Sequence, residues 1–542
     1  MGFCSHSLHS GRIRNGLFSQ RSRLLALFVL LGVIPCSPQT NVLTYHNDNA
    51  RTGRYLNETT LTPGNVNSNS FGKIGFLDVD GKVDAQPLYL SNVNVVGRTH
   101  NILYVATEHD SVYAFDADTG ELIWQASLLG AGETSSDDRG CDQVRPEIGI
   151  TATPVIDPTR GPNGTIYVVA MSKGDLGFYF QRLHALDVTT GEEEFGGPVN
   201  IQATFPGTGD NSSEGYVVFD PKQYKERPGL LLVNGIVYTS WSSHCDIRPY
   251  TSWIIGFDAA TLAQASVLNV TPNGSEGGIW MSGAGPAADD AGNIYLLVGN
   301  GSFDTTLDAS GFPSNGNLGN TFLKLSTIGG LVVRDYFATF DTVQQSDIDN
   351  DLGSGGAMSL PDLTDGSGQV WHLAVGAGKD ANLYVVNRDS MGKFDSGTNN
   401  IYQELQGALP GRIFSAPAYF NDTVYYGPVG NAIMAFGISY ARLSATPTSQ
   451  TGNTFGYPGA TPSISANGID NGILWAVENS DPAVLHAYDA TNLAVEFYNS
   501  NEAGTRDNFG PGNKFITPII VNGKVYVGTT NGVAVFGLRS SP

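Results

Sequence analysis

The chain has 542 residues, with 51 Asp plus Glu against 29 Lys plus Arg and a formal net charge of -22. Such an acidic balance argues against nucleic acid and anionic membrane surfaces as partners. The length suits several domains, or one large all-β barrel or propeller.

Arg12, Arg14, Arg21 and Arg23 precede an apolar run over residues 24–34, which is followed by Pro35, Cys36, Ser37 and Pro38. Residues 1–39 therefore read as a secretory signal with a long basic leader. The run is shorter than the ~20 residues a membrane span requires, and no later segment is apolar enough to cross. A lipid anchor at Cys36 is the weaker alternative, because Pro35 directly precedes it. The mature chain, residues 40–542, is then expected to be one secreted domain, extracellular or periplasmic. It keeps Cys141 and Cys245, and in an oxidising compartment an isolated pair is more often a disulfide than two free thiols. Seven Asn-x-Ser/Thr sequons run from Asn57 to Asn421 and matter only in a host that glycosylates secreted proteins.

Residues 45–53 show no helical or strand period and read as an ordered lead-in loop. Then a repeat begins. Residues 85–90, 102–107 and 111–116 are strand-like, and Asp118-Thr119-Gly120 turns the chain into a fourth strand carrying Trp124. Short apolar runs cut by turn residues mark an all-β chain. The unit recurs after Thr153-Pro154, Leu230, Gly285-Pro286, Ala357, Ala416-Pro417, Thr461-Pro462 and Thr517-Pro518. Eight units of roughly 45 to 75 residues fit four-stranded blades. The expected fold class is all-β, an eight-bladed β-propeller of antiparallel blades. The last unit lacks a strand, which the orphan run over residues 71–80 can supply, closing the ring and removing an exposed edge. No helix is expected, since no apolar 3.6 spacing is sustained.

The stretch from Trp280 to Arg388 carries polar residues that the repeat does not explain: Trp280 in a Gly-rich run, Val298-Gly299-Asn300-Gly301, Asp349-Asn350-Asp351-Leu352-Gly353 and Gly378-Lys379-Asp380. Carboxylates, an amide oxygen, an ammonium and a large aromatic suit a metal and a flat anionic cofactor. With its Ala-Phe-Asp-Ala-x-Thr-Gly turns and its Leu61-Thr62-Pro63-Gly64-Asn65-Val66 lead-in, the chain resembles the quinoprotein alcohol dehydrogenases, propellers that use pyrroloquinoline quinone (PQQ).

The resemblance implies that Trp280 is the floor beneath the quinone, that Lys379, five residues before Tyr384, contacts its oxygens, and that Asp84 and Ser243 lie near the cofactor. It implies Asp351 as catalytic base. It also implies Ca²⁺ or a lanthanide held by Asp246, Asn300 and Asp351, with Asp349 as a second register. Asp246 stands where the family has Glu, and the family's vicinal cysteine pair is reduced to Cys141, so a Cys141–Cys245 bridge near the site is expected as a structural substitute. An alcohol or sugar would be the substrate, and electrons would leave to a separate acceptor.

The rival class is a non-catalytic secreted propeller that binds a protein or glycan, since the same blade motif serves scaffolds. A hydrolase has no defined motif. His109-Asp110-Ser111 is no triad, because neighbours on a strand turn point apart. His184, His372 and His486 read as structural. Alternating Asp347, Asp349 and Asp351 do not make an EF-hand, since the Gly that loop needs is absent and Met358 stands at its bidentate Glu position.

Overall fold

Apolar runs of five to nine residues bounded by glycine turns can satisfy their backbone only by pairing with one another, and the chain does so repeatedly. A computed structural model describes residues 41–539, which fall within the compact unit Gln39–Pro542. The leader read over residues 1–39, with Cys4 and Cys36, lies outside the described residues. The first meander is Leu88–Val95, Arg98–Ala106, Ser111–Asp116 and Leu122–Ser127, each strand antiparallel to the next. Ser111–Asp116 is wholly buried, as an inner strand covered on both faces should be. Later meanders repeat the plan, for example Ala287–Ala288, Ile294–Leu297, Phe322–Ser326 and Val332–Phe337. Among the described residues eight sheets have four or more strands, and two smaller ones have three and two.

The turns after four of the third strands share one chemistry. Asp116 Oδ1 accepts from the backbone N–H of Asp118 and Thr119, and Asp187, Asp258 and Asp489 do the same for Thr189, Ala260 and Thr491. This Asx capping fixes the turn locally. A tyrosine on the second strand then ties one sheet to the next. Tyr104 donates to Val188 O at 3.0 Å, Tyr167 to Ala259 O at 2.5 Å and Tyr425 to Ala490 O at 2.7 Å. Tyr526, on the last sheet, donates to Ala117 O on the first at 3.3 Å. In that last sheet, Phe71–Asp78 pairs antiparallel with Gly532–Leu538. The architecture is all-β and propeller-like.

The lead-in does more than precede the repeat. Val42 exchanges backbone bonds with Tyr89, Leu43 O accepts from Ile156 N, and Asn49 bonds Leu232 O and Ala288 N. Ala50, Thr52 and Gly53 then accept from Ser359, Tyr419 and Ile464, and Glu58 accepts from Gly523 N. One segment thus touches the first strands of seven successive sheets and a hairpin turn of the eighth. Arg51, fully buried, anchors it by donating to Pro286 O at 2.8 Å, Thr44 Oγ1 at 2.7 Å, Tyr45 O at 2.8 Å and Leu230 O at 3.2 Å.

The expectation of no helix needs correction. Thr342–Asp347 forms an α-helix of six residues, and short 3₁₀ turns include Met281–Gly283 and Leu352–Ser354. Elements this short show no periodicity, so apolar spacing cannot reveal them. Among the described residues no helix is long and apolar enough to cross a membrane.

Candidate functional site

Three glycines bring the polar loops together. A Cβ on Gly353 would lie 2.3 Å from Gly299 N, and one on Gly378 2.3 Å from Asp351 O, so backbone packs directly on backbone there. The loops ending in Asn300, Asp351 and Lys379 are thereby held side by side, and Lys379 N donates to Asp351 O at 2.9 Å. The indole of Trp280 lies in a second glycine cradle. Cβ atoms on Gly278 and Gly299 would come within 2.9 and 2.8 Å of it. Met281, Ser282 and Gly283, all at positive φ, turn the chain sharply just after it.

Asp246 arrives from another sheet. It follows the strand Ile236–Ser243 in a turn where Cys245 and Asp246 both take positive φ. Cys245 is bonded to Cys141 across a sequence separation of 104 residues. That bond clamps the turn, and Tyr250 Oη donates to Asp246 Oδ1.

Asp246, Trp280, Asn300, Asp349, Asp351 and Lys379 line one cavity of about 280 Å³. Lys379 Nζ is paired with Asp351 Oδ1 at 2.7 Å and with Asp349 Oδ1. Asn300 Nδ2 donates to Asp349 Oδ1 at 2.6 Å, while Asn300 Oδ1 is buried without a partner. Asp351 is 2% exposed, and burial pushes its carboxyl up, the ammonium of Lys379 opposing. Burial would lower Lys379, but Asp351 and Asp349 outweigh it and raise the lysine. A wider polar groove of about 740 Å³ shares Asp246, Asn300 and Asp349 with the cavity and opens beside it.

Two residues singled out from the sequence lie off the cavity lining. Ser243 is fully buried on its strand, paired opposite Tyr224. Asp84 accepts from Asn513 at 2.6 Å and pairs with Lys82 at 3.0 Å. Burial works to raise its carboxyl and Lys82 to lower it, with a net lowering, while neighbouring Glu108 is raised well above the usual range by burial and then by Asp84.

Residues 49–195 match a repeat family model, PQQ_2, described as outer membrane protein assembly factor BamB. Quinohemoprotein alcohol dehydrogenase from Comamonas testosteroni superposes at a TM-score of 0.59 with 14% identity, covering 93% of this chain and 82% of that one. Quinohemoprotein alcohol dehydrogenase ADHIIG from Pseudomonas putida HK5 gives 0.58 and 14%, covering 93% and 81%. Europium-containing methanol dehydrogenase gives 0.54 and 13%, covering 92% and 98%. The fold is that of a PQQ-type propeller. No curated protein sequence matches the chain.

The rest of the cavity of this PQQ-type propeller comes from residues that motif reading passed over. Gln143, Arg227 and Lys514 line one side, and Phe414, Tyr457 and Phe515 supply apolar and aromatic surface. Phe414, Lys514 and Phe515 lie just before Ala416-Pro417 and Thr517-Pro518, so unit openings were the available signal. Four of the histidines hold Nδ1 against a carboxylate: His109 against Glu147 at 3.0 Å, His184 against Glu193 at 2.5 Å, His372 against Asp389 at 2.8 Å and His486 against Glu496 at 2.7 Å, with Nε2 of His184 and His486 buried without a hydrogen bond. Among the described residues no three His, Cys, Asp or Glu side chains group closely enough to hold a metal. The donors at the cavity are carboxylate and amide oxygens, the chemistry of a hard cation, and the unpartnered Asn300 Oδ1 is such a donor left free.

Proposed function

We propose that this PQQ-type propeller is a secreted quinoprotein-like oxidoreductase that binds PQQ with Ca²⁺ or a lanthanide ion and oxidises an alcohol or sugar. The observation that carries this reading is the convergence of Trp280, Lys379, Asn300, Asp246, Asp349 and Asp351 on one cavity, with an amide oxygen buried and unanswered. Eight sheets, each one blade, form the ring. Its closure by the N-terminal strand is supported by the pairing of Phe71–Asp78 with Gly532–Leu538 and by the Tyr526 bond to Ala117. A protein- or glycan-binding scaffold gives no account of the buried donors.

Asp246, Asn300 and Asp351, with Asp349 beside them, would hold the cation, and Trp280 would fix the plane of the cofactor. When bound, the quinone supplies a two-electron acceptor and the cation supplies Lewis acidity at its carbonyl. Asp351 accepts the substrate hydroxyl proton at a carboxylate oxygen. Its burial raises its proton affinity and so strengthens it as a base, while the Lys379 ammonium beside it favours the ionised form. With the cofactor in place, the Lys379 ammonium is positioned to stabilise negative charge on its oxygens. Phe414 and Phe515 give the cavity apolar lining. Asp84 and Ser243 are left out of this contact set because neither lines the cavity. Electrons would pass to a separate acceptor.

Calorimetric titration with PQQ, in Ca²⁺ and separately in La³⁺, tests the reading. Saturable, metal-dependent binding is expected, with loss of binding in Asp351→Ala and of turnover in Lys379→Ala. Folded protein that binds no quinone with either metal would overturn it.

A further inference from the structure

One buried charge in the cavity has no answer within the protein. Arg227 is 5% exposed, yet its Nε is buried without a partner, and no described residue forms a hydrogen bond or ion pair with its guanidinium. A guanidinium carries five N–H donors and stays charged in proteins, and burying one with no acceptor is strongly unfavourable. The neighbouring contact is an aromatic face: the ring of Phe515 lies 5.1 Å from Arg227 Cζ. Burial pushes the guanidinium down, and Asp84 and Glu108 offset this only from a distance.

Arg227 shares its side of the cavity with Gln143 and Lys514. Gln143 brings amide Nε2 donors that a carboxylate can accept from, while its Oε1, an acceptor, is buried without a partner. Lys514 Nζ donates to Asp142 O at 3.2 Å, which leaves donors over. In a chain with only 29 Lys plus Arg, three cations line one cavity, and only Lys379 is neutralised there, by Asp349 and Asp351. The cavity is therefore charge-matched at Lys379, while Arg227 and Lys514 have no carboxylate in ion-pair contact and only the more distant charges of Asp84, Glu108 and Asp142 near them.

We propose that Arg227, with Lys514 and Gln143 beside it, is a carboxylate-binding subsite that orients a planar polycarboxylate within the cavity. The identity of that ligand as PQQ rests on the reading above; the sign and place of the subsite do not. The fork of Arg227 suits two parallel bonds to one carboxylate, and Phe515 holds the guanidinium plane.

The experiment is thermal denaturation and titration of the purified protein with two probes, PQQ plus La³⁺ and the metal-free planar tricarboxylate benzene-1,3,5-tricarboxylate, in wild type, Arg227→Met and Lys514→Met. Both probes are expected to raise the wild-type Tm. Arg227→Met should weaken both by about thirtyfold or more, the usual effect of removing one partner of a desolvated charged pair, with a smaller loss for Lys514→Met. Without ligand, Arg227→Met should melt no lower than wild type, because it removes an unpaired buried charge. If the tricarboxylate responds to Arg227→Met while PQQ does not bind at all, the subsite stands and the quinone reading falls. If wild type and Arg227→Met bind the tricarboxylate equally, or wild type does not bind it, the subsite is overturned. A lower melting point for Arg227→Met without ligand, with binding unchanged, would likewise assign the residue a structural role instead.

Discussion

Lys225 shows how far the interior of this molecule tolerates charge. It is 1% exposed, its Nζ has no hydrogen-bond partner, and burial, aided by Arg227, pushes its ammonium down to about 7. The folded chain therefore holds this proton less tightly than the unfolded chain, whose lysine sits near 10.5. Stability should rise with pH across that window, since the unfolded state binds the extra proton there. Lys225→Met removes the effect. Its gain in Tm should be largest at about pH 6 and fade towards pH 10.5, as calorimetry across pH would read. A gain independent of pH would mean that packing, not charge, sets the cost at this position. Sequence reading had no access to Lys225 or Arg227, because cations three and one residues before Pro228 have the appearance of an ordinary strand edge. Lys379, by contrast, was legible through its fixed spacing to Tyr384.

At the scale of elements, the site depends on turns more than on strands. Gly353 packs so closely on Gly299 that Gly353→Ala should cost roughly 1–3 kcal/mol or more and weaken PQQ binding, because the loops of Asn300 and Asp351 must part. Gly452, with nothing within 4 Å of an added Cβ and no positive φ, is the control, and Gly452→Ala should leave both unchanged. The disulfide makes a second handle. Replacing Cys141 and Cys245 by Ser opens a loop of 104 residues and should cost about 4–5 kcal/mol in the chain-entropy model. Denaturant melts read the stability. Metal-dependent PQQ affinity reads the freed Asp246 turn, and unaltered affinity would show that the bond is not what positions that carboxylate. The strands themselves were largely readable from short apolar runs. The helix Thr342–Asp347 was not, being too short to carry a period.

At the scale of the whole molecule, the lead-in is the least local element. Its path past eight sheets joins residues hundreds of positions apart, and Arg51 is its anchor, with four donor contacts at 3.2 Å or less. Arg51→Met leaves buried carbonyls unpaired and should destabilise the fold by about 3–5 kcal/mol, the scale for breaking a buried charged network. The check is the denaturation midpoint. A shift below about 1 kcal/mol would mean that the lead-in is held by its backbone bonds alone.

What the sequence by itself determined is local: where most strands lie, where Asp-containing turns fall between them, and which residue types stand at the openings of the units. Those features follow from side-chain period and turn chemistry, which act over a few residues. Only the tertiary structure decided that Asp246, Asn300, Asp351 and Lys379 share one cavity while Asp84 and Ser243 fall outside its lining. It also decided that Arg227 enters that cavity unpaired. The reason is physical. Each of these placements depends on which sheet stands next to which and how closely two glycine backbones approach, and these are properties of the assembled sheets that no single repeat contains.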